Sequence, residues 1–281
     1  SSDVCSSDLA RHIENGDSIE LITRGYTPDD FGNAIKRTHL DLMNSSDVAA
    51  KFPMEEYDIV YDNMVLCPDH IKERLDRIKC RKYVMVSTAG VYRNYHYDIK
   101  EEELNPAIEE WRYCGYYGVD YDDRKRQAEA ALTQEYDDIA SVIVRVPVVL
   151  GENDYTHRLE WYIDHIIEHK PMSIDNLNYQ MPFSYVEDVS EMIYTCGNAD
   201  FEGAINGSMN GTISVGELID YIEKKTGKEA IIDGSGEEAP YKSKCSYSLN
   251  TDIARALNIK FRNIDFSYDI IDSYLSGRNI N

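Results

Sequence analysis

Short apolar runs alternate with amphipathic stretches along the first half of the chain. Ala10-Arg11-His12-Ile13-Glu14-Asn15-Gly16 reads as the end of a helix with a glycine stop, and residues 18–25 as a strand. Further strands are predicted over 38–42, 58–61 and 82–87, with helices over 45–52 and 68–79 between them. A helix rich in Ala, Glu, Gln, Arg and Leu is predicted over 121–132, and a buried strand over 141–147. Strands separated by helices of about ten residues predict an α/β fold with a parallel, doubly wound sheet. In such a sheet, polar residues at the carboxyl ends of the strands are the candidates for ligand contact.

Past residue 150 the pattern changes. A strand near 203–206 is expected to return to the first sheet, and residues 151–281 otherwise read as a smaller α/β lobe closing a cleft over it. Glu217 to Lys225 reads as a helix stopped by Gly227. The stretch Gly234 to Pro240 reads as an exposed loop, and its two acids argue against a phosphate loop. Residues 1–9 contain Ser-Ser-Asp twice and no helix or strand pattern, so they are expected to be non-native, like a translated sequencing adapter.

Composition narrows the classes. Lys plus Arg is 29 against 51 Asp plus Glu, a net charge of -22, which repels phosphate backbones and argues against nucleic acid as partner. The six cysteines, at 5, 67, 80, 114, 196 and 245, have neither zinc-knuckle nor disulfide-framework spacing, and read as reduced thiols of a cytoplasmic protein. No run of about 18 apolar residues suggests a membrane span.

The chemistry is expected on the helix from Tyr121. Tyr121, Lys125 and Glu129 lie four apart and share one face. An ammonium beside a phenol favours phenolate and would lower its pKa by about one to three units, which suits a general acid/base. Spacing alone is weak: with 22 Tyr in 281 residues, chance supplies about one such pair, and Tyr221 with Lys225 is a second. That second pair reads as a surface face. Tyr113, Tyr116 and Tyr117 crowd the loop before Tyr121, where they would wall a pocket or simply pack. His165 and His169 stand one turn apart without a third ligand, so an exposed helix face is preferred to a metal site, and no metal is expected.

Several segments in order, Ser87-Thr88-Ala89-Gly90-Val91-Tyr92, Tyr121 with Lys125 and Glu129, Arg145-Val146-Pro147 leading to Gly151, Phe183 to Val189, and Ile205-Asn206-Gly207-Ser208, resemble the extended short-chain dehydrogenase/reductase superfamily, in its NAD-dependent epimerase/dehydratase family. The resemblance spans residues 19–257 and implies a Rossmann-type lobe over 10–150. Asp154-Tyr155-Thr156-His157-Arg158 is most similar to the branch holding the chloroplast stem-loop-binding proteins.

The resemblance implies Tyr121 as acid/base, Lys125 as holder of the nicotinamide ribose and Thr88 as hydrogen-bond partner of the reacting hydroxyl. It places cofactor contacts at Arg24, Asp41, Leu42, Ser87, Tyr121, Lys125 and Pro147. Arg24 favours NADP over NAD, since no acid stands there to meet the ribose hydroxyls, and the bland reading of Asp41 is a turn cap. The strand and glycine-rich turn that would hold the pyrophosphate are expected upstream of residue 10 and are absent from this chain. The implied function is epimerase, dehydratase or reductase action on a sugar, by resemblance a nucleotide sugar, in a homodimer. The alternatives are a non-catalytic NAD(P) sensor and an RNA-binding protein of the stem-loop branch, the latter opposed by the acidity.

Overall fold

The computed structural model describes residues 4–26, 31–152 and 154–278. The first half runs α1 (Val4–Glu14), β1 (Glu20–Thr23), β2 (Lys36–His39), α2 (Ser45–Lys51), β3 (Glu56–Asp62), α3 (Pro68–Leu75), β4 (Lys79–Thr88), α4 (Tyr121–Glu135), β5 (Ala140–Val146) and β6 (Val148–Leu150). The second runs α5 (Arg158–Ile167), β7 (Pro171–Ser173), β8 (Gln180–Met181), β9 (Phe183–Tyr185), α6 (Val186–Asn198), β10 (Gly203–Asn206), β11 (Ile213–Ser214), α7 (Val215–Thr226), β12 (Ile231–Ile232), β13 (Glu237–Glu238), α8 (Asp252–Ala256) and α9 (Phe266–Ser276).

The central sheet is parallel, in the order β10-β5-β4-β3, and β10 is the returning strand expected near 203–206. Alternation along β4 sends its side chains to opposite faces. Tyr83 and Met85 pack with Ile71 and Leu75 of α3 and with Ala128 and Leu132 of α4. Val84, with Val142 and Val144 of β5, packs against Val189, Met192 and Ile193 of α6. Helices on both faces make the sheet doubly wound. A separate core gathers Leu159, Tyr162 and Ile163 of α5 with Leu218 and Ile222 of α7 and Ile271 of α9 in the second half of the chain.

The structure departs from the sequence reading at several points. α1 begins at Val4, inside the segment read as patternless, while residues 1–3 lie outside the described residues. The parallel strands of the first half fall in two ladders among the described residues, which leaves the expected parallel α/β class intact: β1 and β2 pair only with each other, and β1 meets β3 through side chains, Tyr57 donating to Glu20 Oε2 at 2.7 Å. β2 ends at His39, because Asp41 opens a turn rather than extending the strand. The loop at 234–240 contains β13, laid parallel on β7, and Gly236 is required there because a Cβ would meet the Pro171 backbone at 2.5 Å.

Candidate active site

The candidate residues converge where β4 and β5 end. Thr88, the last residue of β4, lies in register with Val146, so Pro147 follows directly beside it. The Thr88 hydroxyl oxygen accepts from Gly90 N at 3.1 Å and so caps the turn that follows the strand. Among the described residues that bond leaves the hydroxyl proton uncommitted. The hydroxyl of Ser87 turns inward and donates to Glu129.

α4 starts beside this strand end because Asp120 caps it, accepting from Asp122 N at 3.0 Å. Tyr121 is the first helical residue and is 44 % exposed, whereas Lys125, one turn on, is 2 % exposed. Its ammonium donates to the carbonyls of Val65 and Val86, each at 2.6 Å. Burial holds the Lys125 pKa down at about 8, against the opposing pull of Glu129 and Asp62.

The expected lowering of the Tyr121 pKa is not what the structure gives. The phenol is raised above its ordinary value, first by loss of water and then by the charge of Asp122, with Arg124 and Arg158 opposing. Lys125 spends its charge on main-chain carbonyls instead of the phenol. Tyr113 also turns elsewhere: its ring lies 5.7 Å from the Lys72 ammonium of α3, while Arg124 covers the Tyr116 ring at 4.3 Å.

A buried network that the sequence reading did not assign holds this corner. Glu129 pairs with Arg145 of β5 at 2.6 Å, both side chains having no exposure. Arg145 also donates to the Tyr92 hydroxyl at 3.1 Å and to the carbonyls of Glu101 (2.9 Å) and Leu104 (3.0 Å). Tyr92 in turn donates to Asn206 Oδ1 of β10 at 2.7 Å. The available signals were a charge inside the apolar run of β5 and the acid four residues past Lys125. The network clamps α4 onto the ends of β4, β5 and β10.

The residues expected near an adenosine lie at the ends of β1 and β2. Arg24 follows β1 and stacks over Tyr26 at 5.2 Å, with no ion pair to it among the described residues. Gly25 has φ +74 and sits so close to His39 that a Cβ would meet its ring at 2.5 Å. Asp41 accepts from Met43 N at 3.0 Å, a turn cap, and Leu42 lends its carbonyl to Arg74 at 3.5 Å. The residues expected to meet a nicotinamide dinucleotide thus fall in two groups, Lys125, Thr88 and Pro147 at the ends of β4 and β5 and Arg24, stacked over Tyr26, at the end of β1. The residues of this chain include no Gly-x-Gly-x-x-Gly turn for the phosphates between.

Other candidates resolve differently. His165 is buried, not exposed: it stacks on Trp161 at 3.7 Å and meets Glu237 at 3.3 Å, because α5 is covered there by the β13 strand. No group of three metal-ligating side chains occurs among the described residues. The five described cysteines are free. No described helix is long and apolar enough to cross a membrane. Two surface depressions, of about 270 and 690 Å³, are lined by residues away from Tyr121 and Thr88.

A family model described as the NAD dependent epimerase/dehydratase family matches residues 7–210. Among solved structures, MoeE5 in complex with UDP-glucose and NAD aligns with TM-score 0.69 at 15 % identity, covering 98 % of this chain and 96 % of that one. UDP-glucuronic acid 4-epimerase from Bacillus cereus, in complex with NAD, aligns with TM-score 0.66 at 16 % identity over 98 % and 95 %. UDP-glucose 4-epimerase from Thermotoga maritima, with UDP-glucose, aligns with TM-score 0.66 at 13 % identity over 97 % and 96 %. At these identities the likeness is one of fold. No curated protein matches the sequence.

Proposed function

The chain belongs to the NAD dependent epimerase/dehydratase family, and from that premise we propose that it is an NAD(P)-dependent enzyme that oxidises and reduces a sugar hydroxyl on a nucleotide sugar. The observation that carries the reading is the junction of α4 with the end of β4: a partly open tyrosine, Tyr121, on the first turn of a helix clamped against a strand end that presents the Thr88 hydroxyl. Epimerase, dehydratase and reductase chemistry share this step.

Because its pKa is held up, Tyr121 rests as neutral phenol, the proton-donating form: in the reducing direction it gives its proton to the carbonyl oxygen and becomes phenolate. In the oxidising direction the phenolate, formed by loss of that proton to solvent, takes the proton of the substrate hydroxyl and returns to phenol. Thr88 orients the reacting oxygen with the hydroxyl proton its cap bond leaves uncommitted. Lys125, fixed by two carbonyls, holds the ribose nearest the reaction with its remaining N–H. The nicotinamide, when bound, supplies the hydride acceptor and donor. Arg24 offers its guanidinium to an adenosine 2′-phosphate, which favours NADP.

The test is turnover of a nucleotide-sugar panel with NAD or NADP, in the wild type and in Tyr121→Phe. Turnover is expected to fall by about 10²- to 10⁴-fold, the usual worth of a positioned acid/base, with cofactor affinity retained. Full activity in that variant would sink the assignment.

A further inference from the structure

Asp122 stands one residue past Tyr121, in the first turn of α4. Its carboxylate is half-buried, yet it makes no hydrogen bond and no ion pair among the described residues. Burial, and then Asp120 beside it, push its pKa above the usual aspartate value. The side chain is placed by packing: its Oδ1 lies so close to Gly90, two residues past Thr88, that a Cβ there would overlap it. The strand-end loop thus carries a glycine where the carboxylate needs room.

Tyrosines surround the carboxylate. Its charge acts on the phenols of Tyr121, Tyr95 and Tyr247, and the last two rings meet edge to face at 4.8 Å. Asp123 is the other acid nearby. Of the two cations that act on it, Arg126 is committed to the Val91 carbonyl at 2.9 Å and to Asp123, and Lys244 forms no ion pair with it. An ionised carboxylate only accepts hydrogen bonds, and leaving one half-buried without a donor costs free energy that a ligand donor recovers.

We infer that Asp122 is a specificity-determining residue of the site proposed above: its carboxylate accepts a hydrogen bond from a hydroxyl of an uncharged sugar ring and disfavours a ring that carries a carboxylate. The inference rests on the nucleotide-sugar reading. Like charges at close range in a partly desolvated site repel more strongly than in water, so the same group that holds a hydroxyl rejects a uronate. Complementing the helix dipole is the bland role for an acid in a first turn, and Asp123 already fills it.

Titration calorimetry with NADP present separates the outcomes, using UDP-glucose, dTDP-glucose, GDP-mannose, the parent nucleoside diphosphates and UDP-glucuronate. In Asp122→Ala the uncharged sugar nucleotide that binds best is expected to lose about tenfold or more in affinity, as for a hydrogen bond to a charged group, while its parent diphosphate is unchanged. In Asp122→Asn the preference for that sugar over UDP-glucuronate is expected to narrow. Equal losses for the sugar nucleotide and its diphosphate would mean a helix-end role and overturn the inference. Unchanged binding in both variants would overturn it too, while leaving the nucleotide-sugar reading standing. If the wild type binds no member of the panel, that reading itself fails and this inference falls with it.

Discussion

The chain contains the spacing Tyr-x-x-x-Lys-x-x-x-Glu twice, at Tyr121, Lys125 and Glu129 and again at Tyr221, Lys225 and Glu229. The two copies have opposite fates. On α4 the helix runs through all three positions, burying Lys125 and Glu129 and leaving Tyr121 open beside a strand end. On α7 the helix ends at Thr226, Gly227 turns with φ 69, and Glu229 falls outside it, exposed. There Tyr221 donates to Asp272 at 3.0 Å and stacks on Tyr268 at 4.3 Å, while Lys225 pairs with the same Asp272 at 2.6 Å. The pair read from sequence as a solvated face is thus a contact between α7 and α9. A motif becomes a candidate site only when the sheet gives one partner an anchor and leaves the other free.

The sharpest break of the comparison is catalytic. Tyr121→Phe should cost about 10²- to 10⁴-fold in turnover, and Tyr221→Phe should cost none, since its hydroxyl is already engaged away from the strand ends. Comparable losses in both would end the distinction. Stability should divide the copies as well. Glu129→Gln leaves Arg145 buried without its counter-charge, and breaking such a pair costs about 3–5 kcal/mol by denaturant unfolding. Glu229→Gln removes nothing that is buried and should leave the unfolding midpoint unchanged.

The lysines should differ in how stability responds to pH. The pKa of Lys125 is held at about 8, below the roughly 10.4 of an unfolded lysine. Between those values the unfolded chain binds the extra proton, so stability rises with pH across the window, and the gain is lost as pH falls through about 8. The slope is at most about 1.4 kcal/mol per pH unit. Subtracting the profile of Lys125→Met from that of the wild type, by urea unfolding from about pH 7.5 to pH 10, isolates this term from other groups that titrate there. A flat difference would contradict the buried placement. Lys225, its pKa raised by Asp272, should show no such rise in this window.

Much of this contrast was legible in the sequence, and the remainder was lost for physical reasons. Strand and helix periodicity placed the parallel α/β alternation and the helix from Tyr121, because alternation and turn chemistry are local, whereas the return of residues 203–206 to the first sheet is a pairing across about sixty residues that accords with the family resemblance. Gly227 as a helix stop was equally local. The anchor of Lys125 was not, since the carbonyls of Val65 and Val86 lie 60 and 39 residues away along the chain. The direction of the Tyr121 shift failed with it: a cation at the fourth position was assumed to face the phenol, while the nearer influences are burial and Asp122. The Arg145 network likewise joins β4, β5, β10 and α4, so sequence offered only a charge in an apolar strand as a hint.

The mildest test removes what holds the second copy in place. Asp272 receives both Tyr221 and Lys225, and its pair with Lys225 is open to water on both sides, each side chain being 40 % exposed. Exposed ion pairs are screened by salt and add little to stability. Asp272→Ala should therefore leave turnover within about twofold of wild type and shift the unfolding midpoint only slightly. The small shift should shrink further as salt is raised, because the charge pair fades while the Tyr221–Tyr268 stack remains. A large loss of activity would mean that α7 and α9 transmit to the Tyr121 corner, and the two copies of the motif could no longer be treated as independent.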